Sequence, residues 1–402
     1  MRHINKQETI KPELVAFSEN VLGGIQTFYL NLLTHDSCSL FEKRWLLIDH
    51  CDEKRAKAPS FHLESEKISY CNKHGRWRKA IKLTGPISKR DGLVLVNREF
   101  ELDALFLYPI VNKTVYHIVH DDYYLQFASQ YQSVIDVYIA HNRFIYNELM
   151  RLLPERKNEV FFIPFGIRLS PFQRSPNYET ALKVAFIARL DVLKGIHELV
   201  QIDDLLKDKQ VKIEWLVIGD GPEKDKFLND INDRDNFRHL IAKDDLEIFN
   251  NIKSCDVFIL PSVHDGTPVA LLESMGVGLV PILYRFNDGI QEVVTNDIGY
   301  VVEKNDCQRI AEIIAELHSN RDLLEQKSKN ALQSARTNYD VVKQSKAYYD
   351  IFSQYKHLKK FRAHPNSLPI PFLERTWIPQ KAIDVYESAK FWKRKLLKTF
   401  GV

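Results

Sequence analysis

Short apolar runs alternate along the chain with segments in which apolar residues recur every three or four positions. In the first half the apolar runs are LVAF, RWLLID, GLVLV, TVYHIV, IDVYIA and VFFI. In the second half they are KVAFIA, EWLVIG, DVFIL and LVPILY. Runs that are nearly continuously apolar predict strands buried on both faces, and the amphipathic segments between them predict helices that cover a parallel sheet. The pattern therefore predicts an α/β chain with two doubly wound units.

The two units meet near a Pro/Gly break at residues 164–166, which a polar stretch through Thr180 follows. We therefore divide the chain into a first Rossmann-like domain, residues 1–167, and a second, residues 168–340. From Gln308 to about Gln354 the pattern is helical, and a helix from about Gln380 ends the chain. Doubly wound sheets bind ligands beyond the C-terminal ends of their strands, so we expect a cleft where the two domains face each other.

Composition narrows the class of protein. The 402 residues are 45% hydrophobic and 11% aromatic, which is enough for two substantial cores. No apolar run approaches the ~18 to 20 residues that a membrane-spanning helix needs, and the first fifteen residues lack the apolar region of a secretory signal. Five cysteines without CxxC spacing favour a reducing compartment over a disulfide framework or a zinc site. We expect a cytoplasmic protein.

The charge is uneven. Residues 356–402 contain eleven of the 56 basic side chains and three of the 53 acidic ones, whereas the net charge of the whole chain is +3. The helix from about Gln380 has an apolar stripe that includes Trp392 and a basic remainder. Such a helix is typical of a peripheral anchor on an anionic membrane surface; packing on the protein body with a solvated basic face is the alternative. Nucleic acid is not an expected partner, since no recognition motif is present.

A candidate anion site follows the apolar run DVFIL, in the segment SVHDGTPVALLESMG. We predict that Thr267 caps a helix, that Pro268 is its first residue, and that glycines at 276 and 278 end it. The amides of Gly266 and Thr267 at the helix start would bind a phosphate. Asp265 lies just outside the helix. Glu273 lies about two turns inside it, beside a bound anion, where a carboxylate would accept hydrogen bonds from sugar hydroxyls.

A second candidate loop follows the strand KVAFIA. Arg189 and Lys194 flank this loop, and the next strand along the chain ends at Gly219-Asp220-Gly221-Pro222. Taken alone, the two cations are more typical of an ordinary surface turn than of a binding site. If they reach the same sheet edge as the predicted helix start, they would offset the charge that develops on a departing diphosphate.

In combination, ARLDVLKG, VIGDGPE and VFILPSVHDGTPVALLESMGVGLVPI resemble the C-terminal domain of GT-B glycosyltransferases of glycosyltransferase family 4. The resemblance extends over most of residues 183–340. It implies that Arg189 and Lys194 hold the donor diphosphate and that Glu273 holds the ribose. It also implies that residues lining the phosphate and sugar are Gly266, Thr267 and Pro268. Asp265 departs from the family pattern, which usually has Glu; the shorter side chain puts the donor-sugar contact, and with it the activity, in question.

The first half resembles the same family in two places. SENVLGGIQTFYLNLL resembles its amino-terminal glycine loop, with Gly23 and Gly24 at the start of a helix near the donor phosphates or the acceptor. TVYHIVHDD places His120 at the end of a strand, where the family often has an active-site histidine. A lone histidine on a strand is also often structural. By resemblance, residues 1–167 bind the acceptor and the helix 341–355 returns to this domain, as in the GT-B fold.

The resemblance implies a retaining transfer of a sugar from a nucleotide diphosphate sugar to a hydroxyl of a glycan or lipid-linked acceptor, in polysaccharide or lipopolysaccharide biosynthesis. A UDP-sugar is the favoured donor, from the family's breadth, and no cofactor and no metal are expected. The sequence Asp233-Arg234-Asp235 reads as a solvated loop rather than a metal site. One alternative is a nucleotide-sugar-binding protein that has lost transfer activity and supports a partner enzyme. Another, a Rossmann oxidoreductase, would need a G-x-G-x-x-G loop that SENVLGGIQ lacks.

Overall fold

The structure is a computed structural model that describes residues 11–20, 23–36, 38–50, 65–70, 76–87, 89–107, 112–172, 174 and 181–360. The predicted basic helix from residue 380 lies outside these residues.

The first domain contains a parallel sheet of seven described strands in the order β3-β2-β1-β4-β5-β6-β7. The strands are β1 (Glu13–Glu19), β2 (Glu42–His50), β3 (Ser65–Tyr70), β4 (Gly92–Val96), β5 (Lys113–Val119), β6 (Val137–Ala140) and β7 (Val160–Phe162). The helices that connect them are α1 (Gly24–Thr34), α2 (Arg76–Thr84), α3 (Glu99–Leu107), α4 (Leu125–Gln130) and α5 (Arg143–Leu152).

The second domain contains a parallel sheet of six described strands in the order β10-β9-β8-β11-β12-β13. The strands are β8 (Leu182–Ile187), β9 (Ile213–Ile218), β10 (Phe237–Leu240), β11 (Val257–Leu260), β12 (Val280–Tyr284) and β13 (Tyr300–Val302). The helices between them are α6 (Glu198–Asp208), α7 (Lys224–Asp230), α8 (Asp245–Ile252), α9 (Val269–Val277) and α10 (Ile290–Val293). The helices after β13 are α11 (Cys307–Ser319), α12 (Arg321–Asn338), α13 (Val341–Phe352) and α14 (Tyr355–Leu358).

The predicted apolar strands are confirmed: all ten form, nine of them inside the two sheets and one, β7, at an edge. Every residue of β1, β4, β5 and β6 is buried, as a strand covered by helices on both faces requires. The sequence did not predict β3, β10 and β13. All three are sheet edges. An edge strand such as β10, with sequence FRHL, buries less of its surface and so carries a mixed pattern.

The order of each sheet reverses between two neighbouring strands, β1 and β4 in the first domain and β8 and β11 in the second. The chain leaves these strand pairs in opposite directions, which opens a crevice beyond their C-terminal ends. The candidate site residues follow β8 and β11 in the second domain and β1 and β5 in the first.

Helix α13 returns from the second domain to the first. The Tyr349 hydroxyl donates to the Leu32 carbonyl in α1 at 3.3 Å, and the Tyr116 hydroxyl in β5 donates to the Ile351 carbonyl at 3.3 Å. The Tyr348 hydroxyl lies 3.0 Å from His141 Nδ1, at the end of β6. The predicted division after residue 167 falls between the two sheets, and residues 341–352 pack on the first.

Candidate functional site

Two loops of the second domain lie side by side because their strands, β8 and β11, are paired. The amide of Val263 and the hydroxyl of Ser262 both donate to the Leu193 carbonyl at 3.0 Å. Gly195 has φ of 74°, and a Cβ there would lie 2.2 Å from the Pro261 carbonyl oxygen. Only glycine fits both the left-handed backbone and this close approach. The loop that contains Lys194 is therefore fixed against the loop that leads to α9.

The structure brings Lys194 and Asp265 together. Lys194 Nζ lies 2.5 Å from Asp265 Oδ2, and both side chains are partly exposed, by 24% and 18%. Arg189, at the other end of the same loop, pairs with Asp191 at 2.7 Å and is about half exposed. The short Asp265 side chain is thus a partner of the predicted phosphate-binding lysine.

The start of α9 differs by one position from the prediction. The helix begins at Val269, and Pro268 is the N-cap residue, because its ψ of 124° is extended rather than helical. Thr267 as a side-chain cap was wrong, since its hydroxyl instead accepts a hydrogen bond from Asn142 Nδ2 at 3.2 Å. Gly278, with φ of 102°, ends the helix, whereas Gly276 lies inside it. Among the described residues, the amides of Gly266 and Thr267 make no hydrogen bond, so they are available to an anion.

Glu273 is buried in α9, with 6% of its surface exposed. Burial, reinforced by the neighbouring Asp245, raises the pKa of Glu273 well above its ordinary value, while Arg168 acts in the opposite direction. Burial also raises the pKa of Asp245. The buried Glu273 carboxyl therefore takes up a proton more readily than an exposed glutamate would. Neither Arg168 nor Asp245 was predicted, because no local pattern links residues 168, 245 and 273.

On the first domain, His120 lies at the C-terminal end of β5 and is buried. Its Nε2 is 2.8 Å from Asn97 Oδ1. Burial, and then the charges of His141, His117 and Arg98, lower the pKa of His120 well below 6.5, so the ring is neutral. His117, on the same strand, contacts the Asn97 carbonyl oxygen at 3.1 Å, and burial lowers its pKa to about 4.

The two domains meet at the predicted site. A Cβ on Gly266 would lie 2.2 Å from the His120 carbonyl oxygen, so the α9 loop contacts the end of β5. A Cβ on Gly24 would lie 3.2 Å from Val269 Cγ2, which places the starts of α1 and α9 next to each other. Gly23 precedes α1 with φ of 173°, extended backbone that any residue adopts. His120, Gly24 and the 265–269 segment are thus brought together.

Two asparagines that the sequence analysis did not single out hold this segment. Asn142 caps α5 by accepting from the Ile145 amide at 2.8 Å and binds Thr267 through Nδ2. Asn287 donates to the carbonyls of Asp265 and Gly266 at 2.9 and 3.2 Å. The sequence could have suggested both residues as helix caps, because an asparagine between a strand and a helix is a common capping residue. What the sequence could not show is the contact each makes with the α9 loop.

One cluster in the described part of the chain could hold a metal ion. It comprises Asp121, Asp122 and His264, which offer one ligand atom each, all within 4.8 Å of one another. Burial raises the pKa of Asp121 to about 6. The cluster lies between the domains and was not predicted. The sequence Asp233-Arg234-Asp235 lies outside this cluster. Its Arg234 forms ion pairs with Asp203 and Asp204, each at 2.6 Å.

Two facing doubly wound parallel sheets, with a C-terminal helix that returns to the first, define the GT-B fold, and the fold prediction is confirmed. The crystal structure of Anabaena HepE in complex with UDP and glucose superposes with a TM-score of 0.68. The alignment covers 85% of this chain and all of that one, at 16% sequence identity. Residues 170–334 match the family model described as glycosyl transferases group 1.

Two sequence relatives each match about a third of the chain. The amylovoran biosynthesis glycosyltransferase AmsK of Erwinia amylovora is 30% identical over 146 residues, which cover 34% of this chain and 36% of AmsK. The Escherichia coli UDP-Gal:alpha-D-GlcNAc-diphosphoundecaprenol alpha-1,3-galactosyltransferase is 27% identical over 143 residues, with the same coverage. The chain thus spans about a third of the length of these relatives. Among the described residues, no helix has the length and apolar character needed to span a bilayer.

Proposed function

We propose that this protein is a glycosyltransferase that moves a sugar from a nucleotide diphosphate sugar to a hydroxyl of a glycan or lipid-linked acceptor. The observation that carries the proposal is the Lys194–Asp265 pair, 2.5 Å apart just before α9, in the segment whose Gly266 contacts the backbone of His120 in the first domain. A cation and a helix start at one point suit a reaction in which negative charge develops on a departing diphosphate.

Each group has a role in that reaction. The diphosphate oxygens compete with Asp265 for the Lys194 ammonium and are bound by the amides of Gly266 and Thr267. Arg189, about half exposed on the same loop, supplies a second cation. Released from Lys194, the Asp265 carboxylate accepts hydrogen bonds from the donor sugar. Glu273 contacts the ribose. His120 contacts the sugar or the acceptor.

The stereochemistry we propose is retention, with the acceptor hydroxyl approaching on the face from which the nucleotide leaves. A phosphate oxygen of the leaving group takes the acceptor proton, so positioning and charge stabilisation replace a protein nucleophile. We propose UDP as the nucleotide, which is supported by the UDP complex of HepE and by the UDP-Gal donor in the name of the E. coli relative. Metal independence is part of the proposal, and the Asp121-Asp122-His264 cluster makes it worth testing with a chelator.

The pathway we propose is the synthesis of a cell-surface polysaccharide or lipopolysaccharide, which the names of the two relatives support. For a lipid-linked acceptor, residues 380–402 would bring the cytoplasmic enzyme to the anionic inner membrane surface. Sedimentation with anionic and with neutral vesicles, for the full chain and a variant ending at residue 379, tests this part. Equal sedimentation of both proteins with anionic vesicles would exclude the anchor.

The central proposal is tested by calorimetric titration with a panel of UDP- and GDP-sugars, followed by assays of acceptor-dependent UDP release. Lys194→Met keeps the side-chain length and removes the charge. We expect it to bind the donor at least tenfold more weakly and to transfer about 100-fold more slowly. Lys329→Met, at a side chain 73% exposed on α12, is the matched control and should behave as wild type. Wild-type affinity and rate in Lys194→Met would refute the site.

The same experiment separates an enzyme from a protein that only binds nucleotide sugars. Saturable donor binding without nucleotide release, across lipid-linked and free glycan acceptors, would show a binding protein. Unchanged release in the presence of EDTA supports the metal-independent reaction, whereas loss of release that Mn²⁺ or Mg²⁺ restores would contradict it.

A further inference from the structure

The side chain of Asn97 lies between β1, α1 and β5, directly after the end of β4. Its Nδ2 donates to the Phe17 carbonyl oxygen at 2.9 Å. A backbone carbonyl can only accept, so this bond fixes which end of the amide is nitrogen. The oxygen Oδ1 must therefore face the opposite direction, toward Tyr29 and His120.

Two groups converge on Asn97 Oδ1. The Tyr29 hydroxyl donates to it at 2.9 Å, and His120 Nε2 lies 2.8 Å away. An amide oxygen accepts hydrogen bonds and donates none, so His120 must carry its hydrogen on Nε2. In a neutral imidazole the other ring nitrogen, Nδ1, then has a lone pair and acts only as an acceptor.

This acceptor has no hydrogen-bond partner within the described residues, although it is buried. Aromatic rings pack against the imidazole: the centroid of His141 is 4.8 Å from that of His120, that of Phe28 is 5.2 Å away and that of Phe165 is 5.7 Å away. These rings hold the imidazole in place. A buried acceptor without a donor is unfavourable, and proteins rarely retain one without a reason. The His120 backbone contacts Gly266, so this unpaired nitrogen belongs to the residue at the junction of the two domains.

We propose that Asn97 is a positioning residue that holds His120 as the Nε2–H tautomer, so that Nδ1 accepts a hydrogen bond from a hydroxyl of the bound sugar. This inference rests on the proposed function. Tyr29 supports Asn97 by occupying the second lone pair of Oδ1, which leaves the amide no freedom to rotate. His120 then acts as a hydrogen-bond acceptor that orients the sugar, because its Nε2–H is engaged by Asn97 Oδ1.

The tautomer is measured directly by NMR of full-length protein labelled with ¹⁵N-histidine, with the His120 signals assigned from a His120→Gln sample. In wild type we expect His120 to be protonated at Nε2 and unprotonated at Nδ1. The one-bond and the long-range ¹⁵N–¹H couplings should both have the pattern of a ring that carries its hydrogen on Nε2. Addition of the nucleotide sugar selected by calorimetry should shift Nδ1 as it gains a hydrogen bond, whereas UDP alone should leave it unchanged. A wild-type His120 protonated at Nδ1 would overturn the proposal without any variant.

Two variants separate positioning from a merely structural role. Asn97→Asp keeps an acceptor oxygen for Tyr29 and His120 and should retain the Nε2–H tautomer. Asn97→Leu removes the acceptor, so the ring should become a mixture of tautomers. We expect kcat to fall about tenfold or more in Asn97→Leu, the magnitude of one well-placed hydrogen bond, with KM for the donor changed little. Equal loss of kcat in both variants, with the tautomer unchanged in both, would show that Asn97 only supports the fold.

The outcomes for the two proposals are distinct. Failure of every nucleotide sugar to bind would remove the proposed function and the sugar contact with it. Donor turnover by a wild-type protein whose His120 carries its hydrogen on Nδ1 would leave the proposed function intact and remove the role of Asn97. If Asn97→Leu does not fold, the wild-type NMR measurement and the Asn97→Asp variant still decide.

Discussion

Replacing Gly266 with alanine tests whether the contact between the two domains is part of the active arrangement. The added Cβ would lie 2.2 Å from the His120 carbonyl oxygen and 3.0 Å from Asp121 Cβ. Contacts of a Cβ below 3.0 Å are essentially never observed, so the α9 loop and the end of β5 must separate by about 0.8 Å or more. The opposing atom is the backbone carbonyl oxygen of His120 at the buried end of β5. It cannot move without the residues packed around it. The separation is therefore expected between the domains.

A displacement of this size is large enough to slow catalysis but too small to prevent folding. Misplacement of reacting groups by about 1 Å can cost roughly 100-fold in rate, and we expect kcat/KM of Gly266→Ala to fall by about that factor. Binding of UDP should change only a few-fold, because the loop, Lys194 and α9 all belong to the second domain. The melting temperature should stay within a few degrees of wild type, since the strain is relieved without opening either core.

The assay compares acceptor-dependent UDP release, UDP affinity by calorimetry, and thermal unfolding in three proteins. Gly276→Ala is the matched control: its Cβ would meet only Ile167 Cδ1, at 3.3 Å, and the position lies inside α9, where alanine is well tolerated. Wild-type kcat/KM in Gly266→Ala would refute the view that the observed contact is used in catalysis. A large loss of UDP affinity in the same variant would instead place the strain inside the donor site.

Three further predictions concern stability and donor binding. The folded pKa of His117, about 4, lies below its ordinary value of 6.5, so the unfolded chain takes up the proton first and stability falls as the pH drops below about 6.5. Between pH 7 and 5, urea unfolding should therefore lose about 2 kcal/mol more in wild type than in His117→Gln, and equal losses would contradict the buried neutral ring. Asp340 caps α13 by accepting from the Lys343 amide at 3.0 Å, so Asp340→Ala should lower the free energy of unfolding by about 1 kcal/mol, and an unchanged urea midpoint would show that the cap is not needed. Glu273→Gln keeps the shape of the buried side chain without an ionisable group and should weaken UDP binding about tenfold by calorimetry, whereas wild-type affinity would exclude the ribose contact.

The sequence predicted the parts of the molecule that depend on neighbours along the chain. Central strands such as β4 and β11 are apolar throughout and were found from their pattern alone. The edge strand β10 was missed, because its sequence FRHL reflects an exposed face that only the sheet order explains. The start of α9 was misplaced by one residue, because the Thr267 hydroxyl is engaged by Asn142 from the other domain.

The candidate site divides in the same way. Lys194 and Asp265 follow adjacent parallel strands, so their proximity could be inferred from topology. The neighbours of these side chains could not be inferred in this way. Arg168 and Asp245 shift the pKa of Glu273, and Asn97 contacts the ring of His120, although they are distant in the sequence. Their effects depend on side-chain burial and on which atom faces which, and no local spacing encodes either.

The return of α13 to the first domain has a consequence for how the molecule is made. Tyr348, Tyr349 and Ile351 supply hydrogen-bond partners to β6, α1 and β5, yet they are translated after the whole of the second domain. During synthesis the amino-terminal half leaves the ribosome with a groove that its own residues cannot fill. It completes its packing only when the chain comes back, so a fragment cut at residue 167 would lack the surface that encloses its histidine ring stack.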